Sequence, residues 1–310
     1  MKPASSVLLL TTLTGFGYGL LAWLGVFTLF DGLPVSRWFG PVAVVIALGF
    51  ASAGLLASTL HLGRPERAWR AFSQWRSSWL SREGVASLVT FPPAIAFGVL
   101  WWIRGEHAPA TIILGLVAGA LGLVTVFCTA MIYASLKPIR QWHNPHTAPD
   151  YLIFALFSGA ALLALLNAAW SGDARAAVLI ALLGALLAAI VKFAYWRFID
   201  QQPPLASLAD ATGLKSYKTV RPLDQPHFTE NYVLREMGYR VARKHAAKLR
   251  RLTLVIAFVV PALLEILAII GVLPVAVTAL AVVLAAIGLF MERWLFFAEA
   301  THVSTVYYGR

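Results

Sequence analysis

Residues 61–84 read HLGRPERAWRAFSQWRSSWLSREG: five arginines, three tryptophans, two glutamates and one histidine, in a chain of which only 13% is charged. His61 can donate a hydrogen bond and titrates near neutral pH. Glu83, partly withdrawn from water, can hold a proton in the working range. The nearby arginines oppose that shift. Arg64, three residues after His61, shares its helical face if the helix continues. Trp79 offers an aromatic face and Arg82 adjoins Glu83. A quinone head group needs these parts: a donor at a carbonyl, an acid or base for each proton, and an aromatic surface. The catalytic candidates are therefore His61 and Glu83, and the quinone-binding candidates are His61, Arg64, Trp79, Arg82 and Glu83. A plainer account exists for each residue alone. Tryptophan anchors at a membrane interface and arginine reaches the phosphates from there. Acidic residues also favour the first turn of a helix.

The elements that must position these residues are membrane spans. The chain has 310 residues, 59% hydrophobic, with a mean hydropathy of +0.75. A span needs about 20 apolar residues with few charges. Eight runs qualify: Val7–Phe30, Phe39–Leu60, Val85–Ile103, Ile112–Tyr133, Tyr151–Trp170, Ala176–Val191, Leu252–Leu273 and Val275–Phe296. Barrel strands would be shorter and would alternate in polarity. The first run is too long for a signal peptide and lacks a clear small-residue cleavage site. The expected fold is all-α, a polytopic bundle of eight transmembrane helices over 1–310.

Within this bundle, His61 closes the second span and Glu83 opens the third. Both therefore sit at interface depth, where an ionisable residue is a functional candidate. Pro65 is expected to end or kink the second helix, Arg67 and Arg70 lie one turn apart, and Ser81 is the expected cap of the third helix.

The net charge of +11 does not indicate nucleic acid, because its placement is one-sided. Of the 25 Lys and Arg, only Arg37, Arg104 and Arg175 fall in the odd-numbered connections between spans. Positive residues stay in the cytoplasm. Both termini and the 61–84 stretch are therefore expected there. The inside loops also include SLKPIRQWHNPHTAPD at 135–150, rich in turn formers, and 197–251. The second half of 197–251, TENYVLREMGYRVARKHAAKLRRL, has helical periodicity, with Thr229 as its expected N-cap. Val233, Met237, Tyr239 and Val241 are its apolar residues. It is either a basic amphipathic helix against anionic lipid or a dock for a cytoplasmic partner.

Cys128, the single cysteine, excludes an intrachain disulfide and any iron–sulfur cluster held by this chain alone, since such clusters use about four thiolates. It reads as a small buried hydrophobe. A haem-bearing anchor would need axial histidines within spans. The seven are His61, His107, His143, His146, His227, His245 and His302; none is mid-span, and only His61 and His302 lie at span ends. A transporter would need broken helices or midplane charges. Glu265 is the one well-placed candidate, with Pro261 able to loosen its helix. Glu292 and Arg293, near the end of the eighth span, are expected to reach the interface. A structural anchor with no quinone site is a further reading.

The block at 61–84, with its Gly-Arg-Pro, Arg-Ala-Trp and Ser-Arg-Glu-Gly, together with MIYASLKPIRQW at 131–142, resembles the membrane anchor subunit of the dimethyl sulfoxide reductase family. In hydropathy and span count the resemblance extends over the whole chain; its residue-level match lies in 61–84 and 131–142 and does not extend to the 197–251 loop. The resemblance implies an anchor in the cell inner membrane that carries no molybdenum and no iron–sulfur cluster. It implies two partners: a catalytic subunit with molybdopterin guanine dinucleotide and an electron-transfer subunit with four [4Fe-4S] clusters. Electrons would pass between that subunit and membrane ubiquinone or menaquinone. It places quinol binding and proton release at His61 and Glu83, and the 61–84 stretch as part of the dock, with Arg67, Arg70 and Arg76 as docking residues. The family includes sulfite dehydrogenases, which reduce quinone, and reductases, which oxidise menaquinol. The inside location of the dock favours the sulfite type.

Overall fold

The computed structural model describes residues 3–60, 62–171, 174–217, 219–224, 241–272 and 274–308. His61 lies outside the described residues, as do Thr229, Val233, Met237 and Tyr239. No strand occurs among the described residues. The helices are α1 (Ser5–Phe27), α2 (Phe39–Thr59), α3 (Trp79–Arg104), α4 (Pro109–Ala134), α5 (Thr147–Ser171), α6 (Arg175–Gln201), the short α7 (Leu208–Thr212), α8 (Val241–Leu254), α9 (Val260–Ile269) and α10 (Pro274–Ala298). A π-helical turn, Val255–Val259, joins α8 to α9. Among the described residues, eight helices are long and apolar enough to cross a membrane, the seventh running through α8 and α9. All-helical spans are what lipid demands, since each backbone polar group must then be satisfied within its own segment.

Three expected boundaries move. The sixth helix does not stop at Val191 but continues through Lys192 to Gln201; one buried charge does not end a helix whose neighbours supply its counter-charges. The second helix ends at Thr59, before Pro65, and Pro65 instead opens a 3-10 helix, Pro65–Phe72. Its missing N–H suits a helix start. The described part of the basic segment, from Val241, is continuous with the seventh span rather than a separate surface helix. The π turn sits just before Pro261. Proline lacks the N–H that would continue the regular ladder, and a π turn is one way to absorb that break.

Alternating spans sort the connections into two ends. At one end the 135–146 loop meets the segments after α6 and α10. Arg140 donates to the Pro203 carbonyl at 2.6 Å, Val303 N–H to the Pro138 carbonyl at 3.0 Å, and Trp142 Nε1 to the Phe296 carbonyl at 2.9 Å. At the other end Asn167 donates to the Gly32 carbonyl at 3.0 Å and Trp101 Nε1 to the Ser36 carbonyl at 3.3 Å. The first end, the loop-bearing end, holds the 3-10 helix and the start of α3.

Helix α1 is the hub, packed against α2, α4 and α5. It meets α5 backbone to backbone where Gly19 faces Gly159. A Cβ on either would enter the van der Waals envelope of the other helix's main chain. Membrane helices use small residues to allow such approach. Gly159→Ala is expected to destabilise the protein by about 1–3 kcal/mol, the usual range for overpacking. Thermal unfolding in detergent should show a lowered midpoint; an unchanged midpoint would contradict the close contact.

Candidate functional site

Helix α3 is capped by Ser78, not by the expected Ser81. Ser78 has extended backbone angles (φ −112°, ψ 128°) and its hydroxyl accepts from Ser81 N–H at 3.5 Å. Ser81 is thereby inside the first turn and buried. Glu83 is the fifth helical residue and so does not sit in the first turn. It is one step deeper than the sequence suggests and is only 4% exposed.

Glu83 faces α4. Thr129 Oγ1 donates to Glu83 Oε1 at 2.6 Å, and the Thr125 carbonyl lies 3.0 Å from the same hydroxyl. A threonine hydroxyl has one proton. With Glu83 ionised, that proton goes to the carboxylate. With Glu83 protonated, the carboxyl can donate to Thr129, whose own proton then turns to Thr125. Both protonation states keep a hydrogen bond, which suits a group that exchanges protons. Among the described residues no Lys or Arg forms an ion pair with Glu83. A polar seam continues inward between α3 and α4. It holds Ser87, one turn on, and Thr90, whose hydroxyl lies 3.4 Å from that of Thr125.

Arg82 is held away from Glu83 by other acceptors. Its guanidinium stacks over the Trp79 ring at 4.2 Å. Its Nε donates to the Trp75 carbonyl at 3.0 Å and its Nη2 to the Arg76 carbonyl at 2.7 Å. Arg82 thus fastens the 73–78 segment to the start of α3, and the nearest arginine in sequence does not neutralise Glu83. Trp79, one turn before Glu83, packs edge-on against Phe127 of α4 at 6.0 Å. Phe72 of the 3-10 helix lies over Gly84, where an added Cβ would come within 2.9 Å of its ring.

The structure therefore brings Trp79, Arg82 and Glu83 together. His61 lies outside the described residues. Arg64 is exposed, and its side chain joins none of the hydrogen bonds or ion pairs among the described residues. Arg67, Arg70 and Arg76 are exposed. Arg70 lies over Trp69 at 5.7 Å and Arg76 over Trp75 at 5.4 Å, with both rings more than half exposed.

One expectation fails on the other half of the bundle. The side chains of Glu292 and Arg293 do not open to the surface at the end of their span; they are 0% and 3% exposed. Glu265 is buried within its span, with neither carboxylate oxygen hydrogen-bonded. Asp150 of α5 and Lys192 of α6 are buried within spans too. Lys192 Nζ lies 2.5 Å from Glu292 Oε1 and 3.4 Å from Asp150 Oδ2, and Arg293 Nη1 lies 3.5 Å from Glu292 Oε2. A signal for this was present in the sequence. Asp150 opens the fifth span, while Lys192, Glu292 and Arg293 lie toward the ends of the sixth and eighth. Up-and-down topology brings all four to the same end.

Known proteins share this sequence pattern, one family and one relative from end to end and others in part. The family model described as DMSO reductase anchor subunit (DmsC) matches residues 2–309. The sulfite dehydrogenase C subunit of Allochromatium vinosum is 34% identical over an alignment of 329 positions, gaps included, which spans 99% of both proteins. The YnfH chain of an anaerobic dimethyl sulfoxide reductase of Escherichia coli is 33% identical over 115 residues, 36% of the present protein and 39% of that one. The C chain of the anaerobic dimethyl sulfoxide reductase of the same organism is 28% identical over 123 residues, 38% and 41% of the two proteins.

Proposed function

This protein belongs to the DMSO reductase anchor subunit (DmsC) family, and we propose that it is the quinone-reactive anchor of a sulfite-oxidising molybdoenzyme complex. The observation that carries the reading is Glu83: a carboxyl buried at the loop-bearing end of α3, bound to Thr129, without an ion-pair partner among the described residues, beside the Trp79–Arg82 stack.

Reduction of a quinone consumes two electrons and two protons and yields the quinol. The electrons come from an iron–sulfur subunit docked on the loop-bearing end. Glu83 hands a proton to one quinone oxygen and is reprotonated from the same end. The Thr129 switch keeps its two states hydrogen-bonded. Trp79 packs against the head group, and His61, at the adjoining end of the second span in the sequence, gives the second proton to the other quinone oxygen and regains it from water. Molybdenum chemistry belongs to a further subunit that holds molybdopterin guanine dinucleotide. The exposed Arg67, Arg70 and Arg76, with Trp69 and Trp75 beside them, form the docking surface; this combination of arginine and tryptophan suits a protein interface.

The loop-bearing end carries nearly all the Lys and Arg, so it faces the cytoplasm by the positive-inside rule. The membrane is then the cell inner membrane, with protons exchanged on the cytoplasmic side. The end-to-end alignment with a sulfite dehydrogenase subunit supports the sulfite direction. The menaquinol-oxidising alternative is favoured by the shorter alignments with dimethyl sulfoxide reductase chains.

The purified three-subunit complex is assayed for sulfite-dependent quinone reduction and for quinol-dependent dimethyl sulfoxide reduction. The reading expects the first activity and little of the second; the reverse result assigns the other direction. Trp79→Ala is expected to raise the KM for a short-chain quinone about tenfold, equivalent to about 1.4 kcal/mol of lost binding, with kcat less affected. An unchanged KM would remove Trp79 from the site.

A further inference from the structure

We propose that the buried quartet Asp150, Lys192, Glu292 and Arg293 is a proton relay that joins Glu83 to the loop-bearing face. The proposal rests on the quinone reading of Glu83. It concerns residues on α5, α6 and α10, remote in sequence from the 61–84 stretch.

Neighbouring side chains lead from one to the other. Thr129, the partner of Glu83, is one helical turn before Tyr133 on α4, so both occupy one face. Tyr133 stacks on Tyr151 of α5 at 6.0 Å. The Arg293 guanidinium lies over the Tyr151 ring at 3.7 Å. From Arg293 the line of charges passes through Glu292 and Lys192 to Asp150. Lys192 also lies over the rings of Tyr195 and Trp196, at 3.7 and 5.2 Å. Beyond Trp196 stands Arg250, 5.5 Å from its ring. Arg250 donates to Glu299 at 2.9 Å and to Asp200 at 2.6 Å. The Asp200 side chain is 57% exposed, so this second cluster opens to water.

The quartet carries two positive and two negative charges in a membrane-spanning bundle. Ionisable groups are rare there, pair with one another and mark ion or proton pathways. A network built only to hold helices together should have its hydrogen bonds filled. This one does not. Asp150 Oδ1 and the Tyr151 hydroxyl are buried without a hydrogen bond from protein. Glu292 Oε1 is held in the ion pair with Lys192, while Glu292 Oε2 has only the 3.5 Å contact with Arg293. Asp150 Oδ1 and Glu292 Oε2 are the spare proton acceptors. Thr12 Oγ1, also unbonded, lines a small cavity with Tyr151 and Arg293, where a water can bridge them. The titratable and charged groups that face the quartet are Tyr133 from α4, Tyr151 from α5, Tyr195 from α6, Arg250 from α8 and Glu299 from the end of α10.

The balance is simple. Each quinone takes two electrons from the iron–sulfur partner and two protons. For each proton delivered to Glu83, one enters the relay from water at the Asp200–Arg250–Glu299 cluster. Glu292 and Asp150 alternate between protonated and ionised forms, while Lys192 and Arg293 hold their charges and fix the spacing. No atom of the relay is oxidised or reduced.

The test uses the whole complex with Asp150→Asn and Glu292→Gln, alongside Glu83→Gln. Three quantities are read: quinone-linked turnover across pH, its solvent deuterium isotope effect, and affinity for a quinone-site inhibitor. The relay variants should bind the inhibitor as wild type does. Turnover should fall at least tenfold, with an enlarged isotope effect, and recover partly at low pH or with a small permeant weak acid. Unchanged turnover and pH profile would overturn the relay. So would turnover lost in step with inhibitor affinity, since that marks a merely structural role. If neither variant accumulates, Asp150→Glu, which keeps the charge and shifts the carboxyl by one methylene, is read by the same criteria. Loss of turnover in Glu83→Gln with wild-type behaviour in the relay variants sinks the relay alone. Full turnover in Glu83→Gln sinks the quinone reading beneath it.

Discussion

Glu83→Gln is expected to abolish quinone-linked turnover while dye-linked activity of the catalytic subunit survives. The substitution keeps the size and the hydrogen bond with Thr129 but removes the exchangeable carboxyl proton. Positioned acid–base groups contribute about 10²–10⁴-fold to rate, so a loss of at least about 100-fold is anticipated. Helix α3 should be undisturbed, because Ser78 caps it and Arg82 still ties the 73–78 segment to it. Inhibitor affinity should change far less than turnover. The assay compares artificial-dye and quinone rates in one preparation. Equal loss of both rates would point to failed assembly, and retention of both would place the proton chemistry elsewhere.

Lys192→Met is expected to lower the amount of protein in the membrane severalfold. Lys192 is the only cation within salt-bridge distance of both Asp150 and Glu292 among the described residues, and all three are 0–1% exposed. Removing one partner of a buried pair leaves an uncompensated charge and costs about 3–5 kcal/mol. That is comparable with the whole stability of a typical domain, about 5–15 kcal/mol. Lys192→Met combined with Glu292→Gln removes one charge of each sign and leaves Asp150 with Arg293. Abundance should recover in that double variant, while quinone turnover does not. Quantitative immunoblots of membranes and thermal unfolding in detergent give the readout. Wild-type abundance in the single variant would contradict the buried pairing.

The eight spans are legible in the sequence because apolar length is a direct physical demand of the bilayer. Their ends are less so. Val191 is a natural stopping point while Lys192 looks like an interface residue, and only the carboxylates that reach it from α5 and α10, Asp150 and Glu292, show why a lysine can stay inside. Glu292 and Arg293 mislead in the same way: adjacent opposite charges near a span end resemble a solvated pair. Around Glu83 the residue types are informative and the cap is not. Four serines, Ser73, Ser77, Ser78 and Ser81, stand within nine residues, and the choice among them depends on backbone angles. The restraint of Arg82 by two backbone carbonyls likewise depends on how the 73–78 segment folds back, which no spacing rule encodes. The exposed Arg64 shows the limit of i, i+3 reasoning where the helix has already ended at Thr59.

A quinone head group seated beside Glu83, between the start of α3 and the end of α4, is what the other functional assignments depend on. A photoreactive azidoquinone bound to the intact complex, followed by peptide mapping, tests that placement without any substitution. Label is expected within residues 75–90 or 122–134, suppressed by excess unlabelled quinone. Suppressible label confined to α6, α9 or α10 would contradict it.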